Sequence, residues 1–177
     1  MFDDFETYTS GSICSHATHW RASSAVNSDC TRVSSNEAFS RFQSLFIDDN
    51  SLDEIILLVH SAPTYAIYTI EFMAYIPAGK SGYFNMQAAL TPDGVPWNQA
   101  LMGGNVFFNC DTASPGLGIV SGVIDCSNID HSFTFPEDQW FKVTCVYQLD
   151  FQTWDLYIYS LHLGFRESKI SLPKLTD

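Results

Sequence analysis

The sequence predicts an all-β fold, a two-sheet antiparallel β-sandwich, from three observations. Residues 68–76 and 141–149 alternate between apolar and polar side chains, which is the period of two of a half-buried strand. Short segments of this kind are separated by clusters of Gly, Pro, Asp and Ser along the whole chain. No helical period or internal repeat stands out beside them. Many short, punctuated strands are typical of a sandwich or barrel rather than of alternating β and α units.

The first third of the chain predicts three strands joined by irregular segments. Residues 2–12 are acidic and then rich in turn-forming residues, and they predict an edge strand followed by a long loop around Trp20. Residues 39–47 predict a strand that is buried on both faces. An acidic turn follows, and the continuous apolar run at residues 55–59 predicts a central strand of the sandwich.

The middle third predicts three strands, at residues 68–76, 82–90 and 105–111. The first two are joined by the turn sequence PAGKSG, and the loop TPDGVPWNQ follows the second. In the second and third strands the apolar side chains point inward. The opposite face then carries amide and aromatic side chains.

Residues 135–164 predict an antiparallel hairpin that supplies much of the core. One arm places Phe141, Val143, Cys145 and Tyr147 on a single face, DFQT supplies the turn, and the second arm is aromatic and β-branched. The alternation places Cys145 among apolar neighbours as a buried free thiol.

Length and composition indicate one domain over residues 1–177. Its core spans about residues 2–163, and residues 164–177 form a last strand or a tail. A chain of 177 residues with 46% hydrophobic residues is large enough to bury a continuous core.

The charge balance argues against two classes of partner. Eight Lys and Arg against 20 Asp and Glu give a formal charge of −12. Nucleic-acid binding relies on basic side chains that neutralise phosphates, and anionic membrane surfaces attract basic segments. No apolar run approaches the roughly 20 residues of a membrane helix, so we expect no membrane insertion.

Four of the five cysteines are spaced as two loop-closing pairs, Cys14 with Cys30 and Cys110 with Cys126. Each disulfide would close a loop of roughly 15 residues and contribute about 3 kcal/mol. Metal binding is the alternative, but no C-x-x-C or Cys/His cluster supports it. The disulfide interpretation predicts an oxidising, extracellular or cell-surface location.

Several segments together resemble a known family. The segments are FDDFE, VSSNEAF, QSLFI, IYTIEFMAYIPAGKSGYFNMQ, QWFKVTCVYQLD and WDLYI. In this order they are similar to the concanavalin A-like lectin/glucanase (laminin G-like) jelly rolls found as modules in secreted proteins of Bacteroidetes-type bacteria. The resemblance implies a jelly roll of one convex and one concave sheet, with ligands bound on the concave face or at its rim.

The same resemblance raises the possibility of an enzyme, because some jelly rolls of this class are retaining glycoside hydrolases. Such enzymes need two carboxylates about 5 Å apart, and the E-x-D-x-x-E strand that supplies them in the family is missing here. A lyase would need a His or Tyr base beside an Arg. The five His residues are scattered, with few Arg to pair with them. The sequence therefore leans toward a protein that is not an enzyme.

A binding surface is predicted on the mixed face of the middle strands. Sugars stack their C–H faces on aromatic rings and pair their hydroxyls with amides, so this mixture suits a neutral glycan. The alternative is that these side chains simply cover the second face of the sheet. The candidate residues are Tyr83, Asn85, Gln87, Trp97, Phe107 and Asn109.

A structural calcium ion is a further candidate, because related sandwiches hold Ca²⁺ near the N-terminal strand. Asp3, Asp4 and Glu6 would supply the carboxylates here. An acidic, solvated N-terminus is the alternative interpretation.

The sequence thus predicts a secreted, non-catalytic module that binds carbohydrate or mediates adhesion. Other domains of a longer secreted chain are expected partners beside the glycan. A polysaccharide-active enzyme on the same fold and a structural spacer in a multidomain surface protein are the two alternatives.

Overall fold

A computed structural model describes most of the chain and divides it into two compact units, Met1–Thr64 and Tyr65–Asp177. The described residues are 2–22, 30–48, 55–58, 67–87, 104–110, 114–123, 126–148, 150–151, 153–160 and 167–173. One domain over residues 1–177 stays a prediction.

The regular elements are almost entirely strands, with one short 3₁₀ turn at Ile13–Ser15. The first unit contains β1 Gly11–Ser12, β2 Trp20–Arg21, β3 Arg32–Ser34, β4 Ser44–Phe46 and β5 Ile56–Leu57. The second unit contains β6 Ile67–Tyr75, β7 Gly82–Phe84, β8 Asn105–Phe108, β9 Leu117–Ser121, β10 His131–Thr134, β11 Trp140–Gln148, β12 Thr153–Ser160 and β13 Glu167–Pro173.

The first unit consists of two small antiparallel sheets around a small core. One sheet has the order β1-β3-β4, and β2 pairs with β5 in the other. The buried hydrophobic cluster contains Ile13, Ala22, Cys30 and Val33. Cys14 and Cys30 form a disulfide with a Cα–Cα distance of 6.0 Å, which confirms the predicted pair.

Three predictions in this unit are wrong. Strand β4 is much shorter than the predicted strand at residues 39–47, because the chain turns at Arg41 with a φ of 54° and leaves Phe42 75% exposed. The apolar run at 55–59 is described only as far as residue 58. It pairs with β2 in a two-stranded ladder, so it is not a central sandwich strand. The strand predicted within residues 2–12 is wrong in its extent: it covers only Gly11–Ser12, although β1 does lie at the edge of its sheet, as predicted.

The second unit is a β-sandwich made of two four-stranded antiparallel sheets. The strand orders are β10-β9-β8-β7 and β13-β12-β11-β6. Side chains from both sheets join in one hydrophobic core, in which Val106 and Phe108 of β8 cluster with Phe141 and Trp154 of β11 and β12. The fold class predicted from the sequence is therefore confirmed as an all-β, antiparallel sandwich. The jelly-roll connectivity stays a prediction.

The predicted hairpin of β11 and β12 is confirmed, and β11 lies between β12 and β6. Its alternation sends every second side chain into the core: Phe141, Val143, Cys145 and Tyr147 are all buried. After the hairpin, β13 over Glu167–Pro173 adds a further antiparallel strand beside β12.

The sequence predicts neither β9 nor β10; β9 lies between Cys110 and Cys126, in a segment that is rich in turn signals and reads as a loop. A close contact between β9 and β10 explains the glycine at position 118. The aromatic ring of Phe133 in β10 lies directly against Gly118 in β9, where a Cβ atom would collide with it. Glycine is therefore required inside a buried strand.

No helix among the described residues is long and apolar enough to cross a bilayer.

Candidate functional site

Two of the predicted binding residues, Tyr83 and Phe107, lie on the outer face of the β10-β9-β8-β7 sheet, opposite the face that forms the core. Tyr83 of β7 lies directly across from Phe107 of β8 in the antiparallel register. Their ring centroids are 4.8 Å apart at an interplanar angle of 35°. The two rings therefore form one aromatic patch on this face.

Two polar side chains, Asn85 and Gln87, continue from this patch along one edge. The side-chain amide of Asn85 donates a hydrogen bond to the Tyr83 hydroxyl over 2.5 Å. Gln87 Nε2 donates in turn to Asn85 Oδ1 over 3.2 Å. Tyr83, Asn85 and Gln87 occur at every second position, so the alternation of an extended chain places them on one side. The structure thus brings together four of the predicted site residues.

Asn105 at the start of β8 completes the row and was not among the predicted residues. Its Oδ1 accepts a hydrogen bond from the Tyr83 hydroxyl over 2.7 Å, and its Nδ2 donates to the backbone carbonyls of Ser121 and Val123. Its side chain is 0% exposed. The alternation placed Asn105 on the face of Phe107, but its burial depends on tertiary packing that the sequence does not display.

The accessible part of this face lies at the β7 edge. Tyr83 is 42% exposed, and Phe107, Asn85 and Gln87 are partly exposed. Ile119 and Ser121 of β9 share the same face and are buried. A ligand would therefore approach along β7, which is an edge strand of the described sheet.

Asn109 occupies a structural position at the end of β8. It has a φ of 51°, in the left-handed region, and its side chain is buried. Nδ2 donates to the Lys80 carbonyl and to Glu137 Oε1, and Oδ1 accepts from the Gly116 amide. A ligand could reach this amide only by breaking these bonds. Trp97, the remaining predicted residue, lies outside the described residues.

No protein-family model, curated protein or solved structure matches the chain. The resemblance to the concanavalin A-like jelly rolls accordingly stays a prediction.

The acidic N-terminus is organised by hydrogen bonds within the protein. Asp3 Oδ2 accepts from the Tyr8 hydroxyl, His19 Nε2 and Trp20 Nε1 at 2.8–3.0 Å, and its Oδ1 accepts from the Phe5 amide. Burial by itself raises the pKa of Asp3, but these hydrogen bonds outweigh it and lower the pKa below its usual value. Burial and the same carboxylate raise the pKa of Tyr8 to about 12.

The other two calcium candidates also bind the backbone. Glu6 Oε1 accepts from the amides of Phe42 and Gln43, and Asp4 Oδ1 accepts from the Glu6 amide. The described part of the chain contains no cluster of three or more His, Cys, Asp or Glu residues that could hold a metal ion. The three carboxylates thus fix the path of the N-terminal segment.

The predicted cysteine pattern is confirmed. Cys110 and Cys126 form the second disulfide, also with a Cα–Cα distance of 6.0 Å, and Cys145 is a buried free thiol. Burial raises the pKa of Cys145 to about 12, partly offset by a hydrogen bond with Tyr147. Two disulfides indicate that the protein folds in an oxidising environment.

A second aromatic face, on the other sheet, was also missed. Its side chains point away from the core on β6, β11 and β12, and the Lys142 ammonium lies 4.9 Å from the centre of the Tyr159 ring. Lys142 also forms an ion pair with Glu71 at 3.0 Å. The alternation of these strands could have located this face. Its aromatic members are Tyr75, Trp140, Tyr157 and Tyr159.

Proposed function

We propose that the chain is a secreted, non-catalytic module that binds a neutral carbohydrate along the β7 edge of its sandwich. One observation carries the proposal: the exposed Tyr83 packs against Phe107, and its hydroxyl is hydrogen-bonded to a row of side-chain amides. An aromatic ring offers a stacking surface for the C–H face of a sugar, and neighbouring amides supply both donors and acceptors for its hydroxyls.

The chemistry of these side chains favours a neutral ligand. Tyr83, Asn85, Gln87, Asn105 and Phe107 carry no charge at neutral pH. The chain as a whole has a formal charge of −12, which would repel uronates and sulfated sugars. A neutral polysaccharide carries no charge that the acidic protein would repel.

The same residues support binding without hydrolysis. Side-chain amides neither gain nor lose protons near neutral pH, and the Tyr83 hydroxyl is held between Asn85 and Asn105. A glycoside hydrolase instead needs two carboxylic acids beside the scissile bond. The two disulfides support the secreted part of the proposal, together with the resemblance to modules of secreted proteins.

Affinity electrophoresis against neutral polysaccharides tests this proposal. We expect at least one of laminarin, xylan, galactomannan and starch to retard the wild-type protein. Tyr83→Ala should weaken the interaction about tenfold, because it removes the stacking ring and the hydroxyl that joins the amides. Trp97→Ala, in the loop predicted to border the surface, should also weaken it. Release of reducing ends from the same polysaccharides would contradict the non-catalytic part.

Tyr159→Ala is the matched control, since Tyr159 is a partly exposed tyrosine on the outer face of the other sheet. This variant should bind as the wild type does. Unaltered migration with every polysaccharide would contradict carbohydrate binding. Loss of binding in Tyr159→Ala but not in Tyr83→Ala would place the surface on the opposite sheet.

A further inference from the structure

We infer that Asn105 is the positioning residue of the proposed carbohydrate surface and fixes which hydrogen-bonding groups that surface presents. The inference rests on the proposed function and adds a determinant of specificity to it. Asn105 is completely buried, so it does not touch the sugar itself. It acts through the Tyr83 hydroxyl.

The orientation of the Asn105 amide follows from its partners. Its nitrogen lies 3.3 Å from the Ser121 carbonyl oxygen and 3.0 Å from the Val123 carbonyl oxygen, and carbonyl oxygens can only accept hydrogen bonds. A flipped amide would place its own oxygen against both carbonyls in a buried position, which is costly. The Oδ1 atom must therefore face Tyr83.

The orientation of the Asn105 amide determines which group donates and which accepts in each hydrogen bond of the row. Since Oδ1 can only accept, the Tyr83 hydroxyl must donate its single proton to Asn105, which leaves the phenolic oxygen to accept from Asn85. Asn85 therefore turns its nitrogen toward Tyr83 and its oxygen toward Gln87, whose nitrogen donates to it. The amide of Gln87 is thereby oriented at the far end of the row. A sugar meets a fixed pattern of donors and acceptors.

The anchor of this row lies in the turn after β9. Val123, whose carbonyl holds Asn105, donates its own amide proton to Ser121 Oγ, and the neighbouring Gly122 amide donates to Asp130 Oδ2. The same turn leads to Cys126, which is bonded to Cys110 just after β8. The anchoring carbonyls therefore lie at the end of β9 and directly after it, where the Ser121 and Asp130 side chains hold the neighbouring backbone amides.

Replacing Asn105 by its acidic counterpart provides the sharpest test. At neutral pH the carboxylate of Asn105→Asp has no proton to donate to the two carbonyls, so we expect affinity for the four polysaccharides named above to fall at least about tenfold. Once protonated, the same group donates to one carbonyl and still accepts from Tyr83. Affinity should therefore recover as the pH falls toward about 5, where a buried carboxyl gains its proton.

Three further proteins complete the binding comparison. Asn105→Ala should bind weakly at both pH values, because it can form none of these hydrogen bonds. Asn36→Ala, at an exposed asparagine of the first unit, should match the wild type at both. The wild type should show no gain at the lower pH. Equal affinities of Asn105→Asp and wild type at neutral pH would overturn the inference, as would a folded Asn105→Asp protein that fails to recover.

A double-mutant cycle without ligand separates this inference from the proposed function. Unfolding is measured for the wild type, Tyr83→Phe, Asn105→Ala and the double variant. We expect Asn105→Ala to shift the unfolding equilibrium about fivefold less when the Tyr83 hydroxyl is already absent. Additive effects would refute the link to Tyr83 even if the wild type binds a glycan. Coupled effects with no glycan binding would refute the proposed function and leave the Asn105–Tyr83 link standing.

Discussion

At the scale of single residues, Asn109 holds three parts of the second unit together. Its side chain joins the Lys80 carbonyl, the Glu137 carboxylate and the Gly116 amide, and its backbone adopts a left-handed conformation that asparagine tolerates better than most residues. Glu137 also accepts from the Gly79 amide, and the neighbouring Asp138 accepts from the Ala78 amide. One buried amide thus organises the turns at this end of the sandwich.

We predict that Asn109→Asp destabilises the second unit by about 3 kcal/mol at neutral pH, because two donated hydrogen bonds are lost and two carboxylates are brought together. The repulsion raises the pKa of the introduced carboxyl in the folded state. The lost stability should therefore return partly as the pH falls below that pKa. Urea unfolding at about pH 7 and about pH 5 measures both effects.

Asn109→Gly is the matched control for this prediction. Glycine adopts the φ of 51° without strain and removes the amide without adding a charge. Its stability loss should not depend on pH more than that of the wild type. If the stabilities of Asn109→Asp and Asn109→Gly depend on pH in the same way, repulsion between the introduced carboxylate and Glu137 is contradicted.

Asp3 leads to a pH dependence of the first unit. The pKa of its carboxyl is lowered in the folded protein, so the carboxylate stabilises the fold above the unfolded pKa of about 3.9 and loses this effect as the pH falls through the folded value. We predict that Asp3→Asn lowers the stability of the first unit at neutral pH and that the difference from the wild type disappears in acid.

Amide hydrogen exchange in the first unit measures this difference directly. The second unit provides the internal control, since its protection should be the same in both proteins. A difference between wild type and Asp3→Asn that does not shrink as the pH falls below the unfolded pKa would contradict an ionised Asp3 as the stabilising group.

At the scale of elements, the two disulfides have unequal importance. Among the described residues, the buried cluster of the first unit has four members, one of which is Cys30 itself, whereas the cluster of the second unit spans two four-stranded sheets. Small cores supply little stability and depend on covalent links. The Cys14–Cys30 disulfide should therefore contribute a larger share of the stability of its unit than Cys110–Cys126 does.

We predict that replacing Cys14 and Cys30 together by Ala costs about 3 kcal/mol and leaves the amides of the first unit largely unprotected from exchange. The paired replacement of Cys110 and Cys126 is the control, and it should leave the strands of the second unit protected. Hydrogen exchange read by mass spectrometry resolves the two units. An equal loss of protection in both units after the first replacement would contradict the prediction.

The strands that can be predicted correctly from the sequence are those in which apolar and polar side chains alternate along the whole strand. Strands β6 and β11 are long and have one buried face, so a period of two shows in their side chains. Strand β9 is buried on both faces and contains Gly118, so its pattern is neither alternating nor continuously apolar. Phe42 reads as a core residue by its type alone, and only the turn at Arg41 shows that it points to solvent.

The candidate surface was predictable in part for the same reason. Tyr83, Asn85 and Gln87 share a side because they are two residues apart in an extended chain. Phe107 and Asn105 contact this row only because of the register between β7 and β8, which pairs residues far apart in the sequence. Asn105 and Asn109 occur in the same alternating pattern of the sequence. In the structure, Asn105 accepts a hydrogen bond from the Tyr83 hydroxyl, whereas Asn109 connects neighbouring turns.

At the scale of the whole molecule, an acidic, disulfide-containing sandwich presents two outer faces that carry aromatic side chains. The described side chains that form the row at β7 are uncharged, whereas the face of β11 and β12 contains the Lys142–Glu71 ion pair. These compositions suit different ligands. A neutral sugar is expected at the first and not at the second.

Nuclear magnetic resonance mapping of the ligand surface tests carbohydrate binding at β7 most directly. Amide and side-chain signals are followed while the polysaccharide that retards the wild type, or an oligosaccharide prepared from it, is added. We predict that the largest changes fall on Tyr83, Asn85, Gln87 and Phe107 and on the side-chain amide of Asn105. Changes centred on Trp140, Tyr157 and Tyr159, or no changes at saturating concentrations of laminarin, xylan, galactomannan and starch fragments, would contradict it.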